Sequence, residues 1–109
     1  RSEAIQAATL YATEVPLRTM KAAAAVMPLV KAMAEKGNPN SVSDAGVGAL
    51  AARSAVLGAY LNVKINAAGL KDREKADAIL AEAAEIASRV QEEEAEVIAI
   101  ANKTIDGEN

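Results

Sequence analysis

Apolar residues recur at helical spacing along most of the chain, and no stretch alternates as a half-buried strand would. Three helical segments separated by two loops follow. The first runs from about Ser2 to Lys36, with Ser2 as a candidate N-cap. Ile5, Ala8, Ala12 and Val15 form one apolar stripe there, and Leu17, Met20, Ala24 and Met27 continue an apolar face. Pro16 and Pro28 interrupt the segment. An interior proline removes a hydrogen bond and costs roughly 3 kcal/mol or more, so a kink or short break is expected near each. Gly37 suits the C′ position, with Pro39 as a stop signal.

The second segment starts near Ser41 or Ser43, where Ser41 and Asp44 loosely match a capping box, and runs to about Ala68 before Gly69. Val47, Leu50, Ser54, Leu57, Leu61 and Ile65 form a stripe of mostly large side chains, the predicted core face. About a quarter turn away, Asp44, Gly48, Ala51, Ala55, Gly58, Asn62 and Asn66 form a lane that is small in the middle and polar at both ends. Glycine inside a helix costs about 0.8–1 kcal/mol against alanine, so Gly46, Gly48 and Gly58 point to close approach of another helix or a ligand. The third segment runs from Asp72, its predicted N-cap, to about Thr104. Ile79, Ala83, Ile86, Val90, Val97 and Ala101 keep one face apolar, Glu93 and Glu94 flank it toward solvent, and the tail from Ile105 is expected to fray. The predicted fold class is all-α, a long-helix up-and-down bundle whose three segments form part of a larger helical domain.

Composition sharpens this picture. Apolar residues make up 51% and aromatics only 2%, so the apolar content is chiefly alanine. Alanine favours helix and lets helices approach closely, but it buries little area. Such a chain needs long, matched contacts or a partner that supplies surface. Cysteine and histidine are both absent, which removes disulfides, thiolate metal sites and the commonest general base. No metal is expected. With 15 acidic against 12 basic residues and no basic block, nucleic acid is not an expected partner. The longest apolar run, from Ala22, ends before Lys31 and is too short to cross a bilayer, and no signal peptide is visible. No membrane partner and a cytoplasmic location are the resulting expectations. The chain opens at Arg1 within a helical pattern, as a fragment or processed product would.

Ser-His and Cys-His pairs, HExxH and glycine-rich phosphate loops are all missing. Two polar groups remain. Asn38 to Asp44 lie at a helix N-terminus, where free N–H groups favour an anion or an electron-rich group; their plainer use is capping and turn formation. Asn62 and Asn66 lie one turn apart and are poor helix residues; their plainer use is helix–helix hydrogen bonding or a wet helix end. Asp44 and Asn62 are separated by roughly 27 Å of helix. They serve different ends of a long ligand, or different subunits' sites. Tyr60, Arg53 and Lys64 fall on the opposite side, with surface or interface placement expected.

Three stretches carry a family resemblance. They are Ala12-Thr13-Glu14-Val15-Pro16-Leu17, the loop and helix start Gly37 to Val47, and Gly58-Ala59-Tyr60-Leu61-Asn62-Val63-Lys64-Ile65-Asn66. In order and spacing the chain resembles the formiminotetrahydrofolate cyclodeaminase and methenyltetrahydrofolate cyclohydrolase family over nearly its whole length. The resemblance implies a helical bundle-like domain, a homodimer or larger assembly, a tetrahydrofolate derivative as substrate and no metal or redox cofactor. It implies closure of 5-formiminotetrahydrofolate to 5,10-methenyltetrahydrofolate with loss of ammonia, a lyase step, or interconversion of the methenyl and 10-formyl forms, a hydrolase step. Some members carry a formiminotransferase that works in histidine breakdown. The family's Pro-Gly-Gly-Gly-Ser-like segment does not occur in this chain. Residues 1–109 therefore correspond to the C-terminal part of one such domain, with the N-terminal half as a required partner and the piece alone expected to be inactive. By match to the motifs, Asp44 is the candidate catalytic carboxylate, and Asn38, Asn40, Ser43, Asn62 and Asn66 are candidate substrate-binding residues. A non-catalytic helical interaction module is the alternative from another class, favoured by the Ala/Glu-rich third segment.

Overall fold

In the computed structural model, which describes residues 1–107, the chain forms four α-helices: α1 (Ser2–Ala24), α2 (Met27–Glu35), α3 (Pro39–Ala67) and α4 (Arg73–Ile105). Short loops make the long helices run up and down, and they build a rod of 61 × 17 × 16 Å with α3 packed against each of the others. The described residues contain no strand. The all-α class holds, with four helices where three segments were expected. The first segment breaks at Ala25 and Val26, and Pro28 sits in the first turn of α2, where its missing N–H is harmless. Pro16 lies inside α1, which continues through it.

The helix ends correct several expectations. Ser2 is the first helical residue and Arg1 precedes it as a cap without a side-chain bond. Gly37 does end α2, at φ 76°, a left-handed conformation that suits glycine. Pro39, however, opens α3 instead of stopping a helix. The Asn38 side chain caps it by accepting from the Asn40 N–H at 3.0 Å, so the Ser41–Asp44 box is not the start. Asp72 caps α4 as predicted, accepting from the Lys75 N–H at 3.1 Å. The Arg73 guanidinium donates to the Ala67 and Leu70 carbonyls at 3.1 and 3.0 Å, closing the C-terminal end of α3. At the chain's other end α4 includes Ile105, where fraying was expected to begin, and the last residues of that expectation, Glu108 and Asn109, lie outside the described residues.

The core is aliphatic and thin. Met20, Met27, Val42, Val56, Val63, Val90 and Val97 are its largest fully buried side chains. Leu17, Met20 and Met27 face it as predicted, and so does the α4 stripe, with Ile79 partly buried. Two predicted stripes do not. Ile5, Ala8, Ala12 and Val15 of α1 are exposed. On α3, Val47, Leu61 and Ile65 are 65%, 64% and 73% exposed, and Leu50 is exposed as well. The buried face of α3 is instead Ala45, Ala49, Ala52, Val56, Ala59, Val63 and Ala67. The reason is that α3 is apolar on every side, so amphipathicity does not select a face. The small-residue side admits two neighbouring helices at once, and the large side chains remain outside. α3 is also long and apolar enough to cross a membrane, with mean hydropathy 1.2 over its best window, which the unbroken-run criterion overlooked.

Polar contacts tie the rod together at its surface. Lys21 pairs with Glu82 at 3.0 Å and Lys31 with Glu96 at 2.7 Å, linking α1 and α2 to α4. Glu94 does not reach solvent as expected. Its side chain is only 13% exposed and stands 4.0 Å from the Arg53 guanidinium, whose Nε is buried without a hydrogen-bond partner. Tyr60 is half-buried and carries the Lys64 ammonium 4.3 Å above its ring.

Candidate functional site

Pro16 has no N–H, so the carbonyl of Ala12, one turn back in α1, loses its usual helical donor. A donor reaches it from α3. The Asn66 carboxamide donates through Nδ2 to the Ala12 carbonyl at 3.2 Å and to its own helix's Asn62 carbonyl at 2.9 Å. An amide that donates to two carbonyls has its nitrogen placed by them, which leaves Oδ1 as a free acceptor. A mid-helix proline and a mid-sequence asparagine thus become one structural unit, and that unit joins α1 to the end of α3.

This unit forms one end of a groove between α1 and α3 with a volume of about 710 Å³. Tyr11, Ala12, Val15, Pro16 and Thr19 line it from α1, and Ala55, Ala59, Asn62 and Asn66 from α3. The walls are mostly small and apolar, with Tyr11, Asn62 and Asn66 toward one end and Thr19 toward the other, and none of these side chains is charged. Ligand sites of this size range bind drug-sized molecules through apolar walls and a few fixed polar groups. Without an acid or a base among its walls, the groove can hold and orient a flat molecule but cannot itself move a proton.

The sequence-predicted residues separate into two sets. Asn62 and Asn66 line the groove together, Asn62 exposed and Asn66 half-buried. Asn38, Asn40, Ser43 and Asp44 are all exposed toward the other end of α3, with Asp44, the nearest of them, roughly 27 Å from Asn62 along the helix, and none of them lines this groove. The capping role of Asn38 is realised, with Asn40 supplying the N–H. Tyr11, Thr19 and Ala59 are groove residues that sequence reading missed, whereas Ala55 belongs to the small-residue lane it singled out. Pro16 was noticed only as a helix interruption. Its signal was present: a proline well inside an apolar helix implies an unmatched carbonyl that something must satisfy.

A second depression, of about 510 Å³, lies where α1 breaks into α2 and faces α4. Four of its five charged side chains are paired within the chain, Lys21 with Glu82 and Arg89 with Glu85 at 2.7 Å, and Glu93 is the fifth. Among the described residues no cluster of acidic side chains is arranged to hold a metal ion.

Residues 1–85 match the family model described as formiminotransferase-cyclodeaminase. The chain is 40% identical over 99 residues to a methenyltetrahydrofolate cyclohydrolase of Methylorubrum extorquens, covering 84% of this chain and 48% of that protein. It is 38% identical over 101 residues to a formimidoyltransferase-cyclodeaminase of Dictyostelium discoideum, covering 92% of this chain and 19% of that protein. The chain therefore spans about half the length of the first relative and about a fifth of the second.

Proposed function

We propose, since this chain belongs to the formiminotransferase-cyclodeaminase family, that it is the C-terminal part of a folate one-carbon enzyme domain and that the α1–α3 groove receives the pteridine ring of a tetrahydrofolate substrate. One observation carries this reading. Two of the three family-like stretches, Ala12 to Leu17 and Gly58 to Asn66, are far apart in sequence yet supply opposite walls of one groove. The apolar walls of Ala12, Val15, Ala55 and Ala59 suit a planar bicyclic ring, and the amides suit its hydrogen-bonding edge.

The reaction is cyclodeamination. The substrate's second nitrogen attacks the carbon of the protonated formimino group and gives up its proton, the carbon–nitrogen bond to the terminal NH2 breaks, and that group takes up the released proton and leaves as ammonia, which leaves the methenyl cation. Asp44 orients or deprotonates the reacting nitrogen, with Asn38, Asn40 and Ser43 around it. A cyclohydrolase is the second reading, favoured by 40% identity across nearly half of the Methylorubrum protein. Water then adds to the methenyl carbon and one ring bond opens. Ammonia release from the formimino substrate, set against decay of the methenyl substrate, separates the two.

The distance from Asp44 to the groove calls for a second subunit. Paired antiparallel about the level of Val56, α3 of one copy sets its exposed Val47 and Leu50 against Ile65 and Leu61 of the other, an isologous arrangement. The same register puts Asp44 level with Ala68 of the second copy, about one helical turn or less from that copy's Asn66. Helices from the half of the Methylorubrum relative's length that this chain does not span would complete the remaining apolar surface of α1. A non-catalytic interaction module would show no folate-dependent rise in melting temperature, whereas a ligand at 100 times its Kd stabilises by about 2.7 kcal/mol.

A further inference from the structure

The Asn66 carboxamide is held by two carbonyls, and one of them, that of Ala12, has no helical donor of its own because residue 16 is proline. Had residue 16 carried an N–H, it would donate to the Ala12 carbonyl and close an ordinary helical turn. A carbonyl already served by its helical N–H has less need of a second donor, so its hold on the Asn66 amide would loosen and the amide would turn over more readily. As the chain stands, both amide hydrogens are committed, and Oδ1 is the polar atom left for a molecule in the groove.

We propose that Pro16 is a positioning residue for Asn66: by withholding an N–H it leaves the Ala12 carbonyl to lock the Asn66 amide with Oδ1 as a fixed acceptor, so that the groove selects a ring edge bearing an N–H donor. An edge that offers only acceptors meets another acceptor there and is rejected, because a buried polar atom without its hydrogen bond is costly. The amino group and ring N–H of a pteridine are donors of this class. The inference rests on the folate reading for its ligand, but not for the lock itself. It also explains why a helix-weakening residue sits in the middle of α1, where alanine would make a more stable helix.

The test uses the full-length protein carrying this chain, with 5-formyltetrahydrofolate as a stable probe and isotope-labelled asparagine. Pro16→Ala is expected to leave the melting temperature unchanged or higher, while binding weakens about fivefold to tenfold, the value of one ordinary hydrogen bond. Asn66→Ala is expected to weaken binding at least as much, and adding Pro16→Ala to it is expected to change binding no further. In the unliganded protein the Asn66 side-chain amide protons are expected to exchange slowly, and faster in Pro16→Ala. Wild-type affinity in Pro16→Ala, an equal loss from Pro16→Ala when Asn66 is already alanine, or unchanged amide exchange would each overturn the proposal and leave the folate reading standing. A wild-type protein that binds no reduced folate would overturn the folate reading and the ligand choice drawn from it, while the exchange comparison would still decide the lock.

Discussion

Asn38 spends its side-chain oxygen on the Asn40 N–H, so its first contribution is to the stability of α3. Asn38→Ala is expected to cost about 0.5–2 kcal/mol and Asn38→Ser or Asp much less, measured by denaturant unfolding. An Asn38→Ala protein as stable as wild type would remove the cap from the account. The glycines of α3 make a sharper pair. A Cβ at position 48 would stand 3.0 Å from Val30 Cγ1, whereas one at position 58 meets nothing within 4 Å inside this chain. Gly58→Ala should therefore gain most of the roughly 1 kcal/mol that alanine offers in a helix. In Gly48→Ala that gain is offset by crowding against the stiff side chain of Val30. Equal melting shifts for the two variants would contradict the close approach of α2 to α3. The amides were legible as unusual residues, and the Asn62–Asn66 pair does meet at a groove. The lock on Ala12 was not legible, because it depends on which residue of α1 lies opposite the end of α3.

At the level of helices, α3 divides what periodicity can tell from what it cannot. Helix existence, the Asp72 cap, the Gly37 terminus and the core face of α4 were all readable, because each depends on near neighbours. The core face of α3 was read as its large stripe, and the helix instead turns its alanines and valines inward. Only the shape of the neighbours decides between two apolar faces. The outward face carries the expectation of a partner. Leu61→Lys together with Ile65→Lys removes no buried contact within the chain, so helix content by circular dichroism should be unchanged. In the assembled protein the same change should shift sedimentation toward a smaller species. Unchanged sedimentation would mean that this face stays in water. Between α2 and α4, the hydrogen bond from Lys31 to Glu96, reinforced by its charge, holds the ammonium pKa above its ordinary 10.5. A raised pKa stabilises the fold fully below 10.5 and loses that contribution as pH rises through the folded-state value. The wild-type and Glu96→Gln proteins should therefore differ in stability by a constant amount from pH 6 to 8, and the difference should shrink only in strong alkali.

For the whole molecule, the rod is thin for its length, and its alanine-rich core leaves two apolar stripes uncovered. The proposed assembly uses one of them to bring the Asp44 end of one subunit to the groove of another. It predicts complementation: inactive Asp44→Asn and weakly binding Asn66→Ala variants, unfolded and refolded together and assayed at low substrate, should recover about a quarter of wild-type activity above the residual activity of Asn66→Ala, since half of the dimers would hold one intact site of two. No recovery would mean that the two sets of residues do not share a site across subunits. The central claim, that the groove between α1 and α3 holds the pteridine ring, is tested most directly by a crystal structure of the complete protein with bound 5-formyltetrahydrofolate. The ring is predicted to lie between Ala12 and Val15 on one side and Ala55 and Ala59 on the other, with an N–H directed to Asn66 Oδ1. A ring bound elsewhere, with another helix of the protein filling the groove, would contradict the claim.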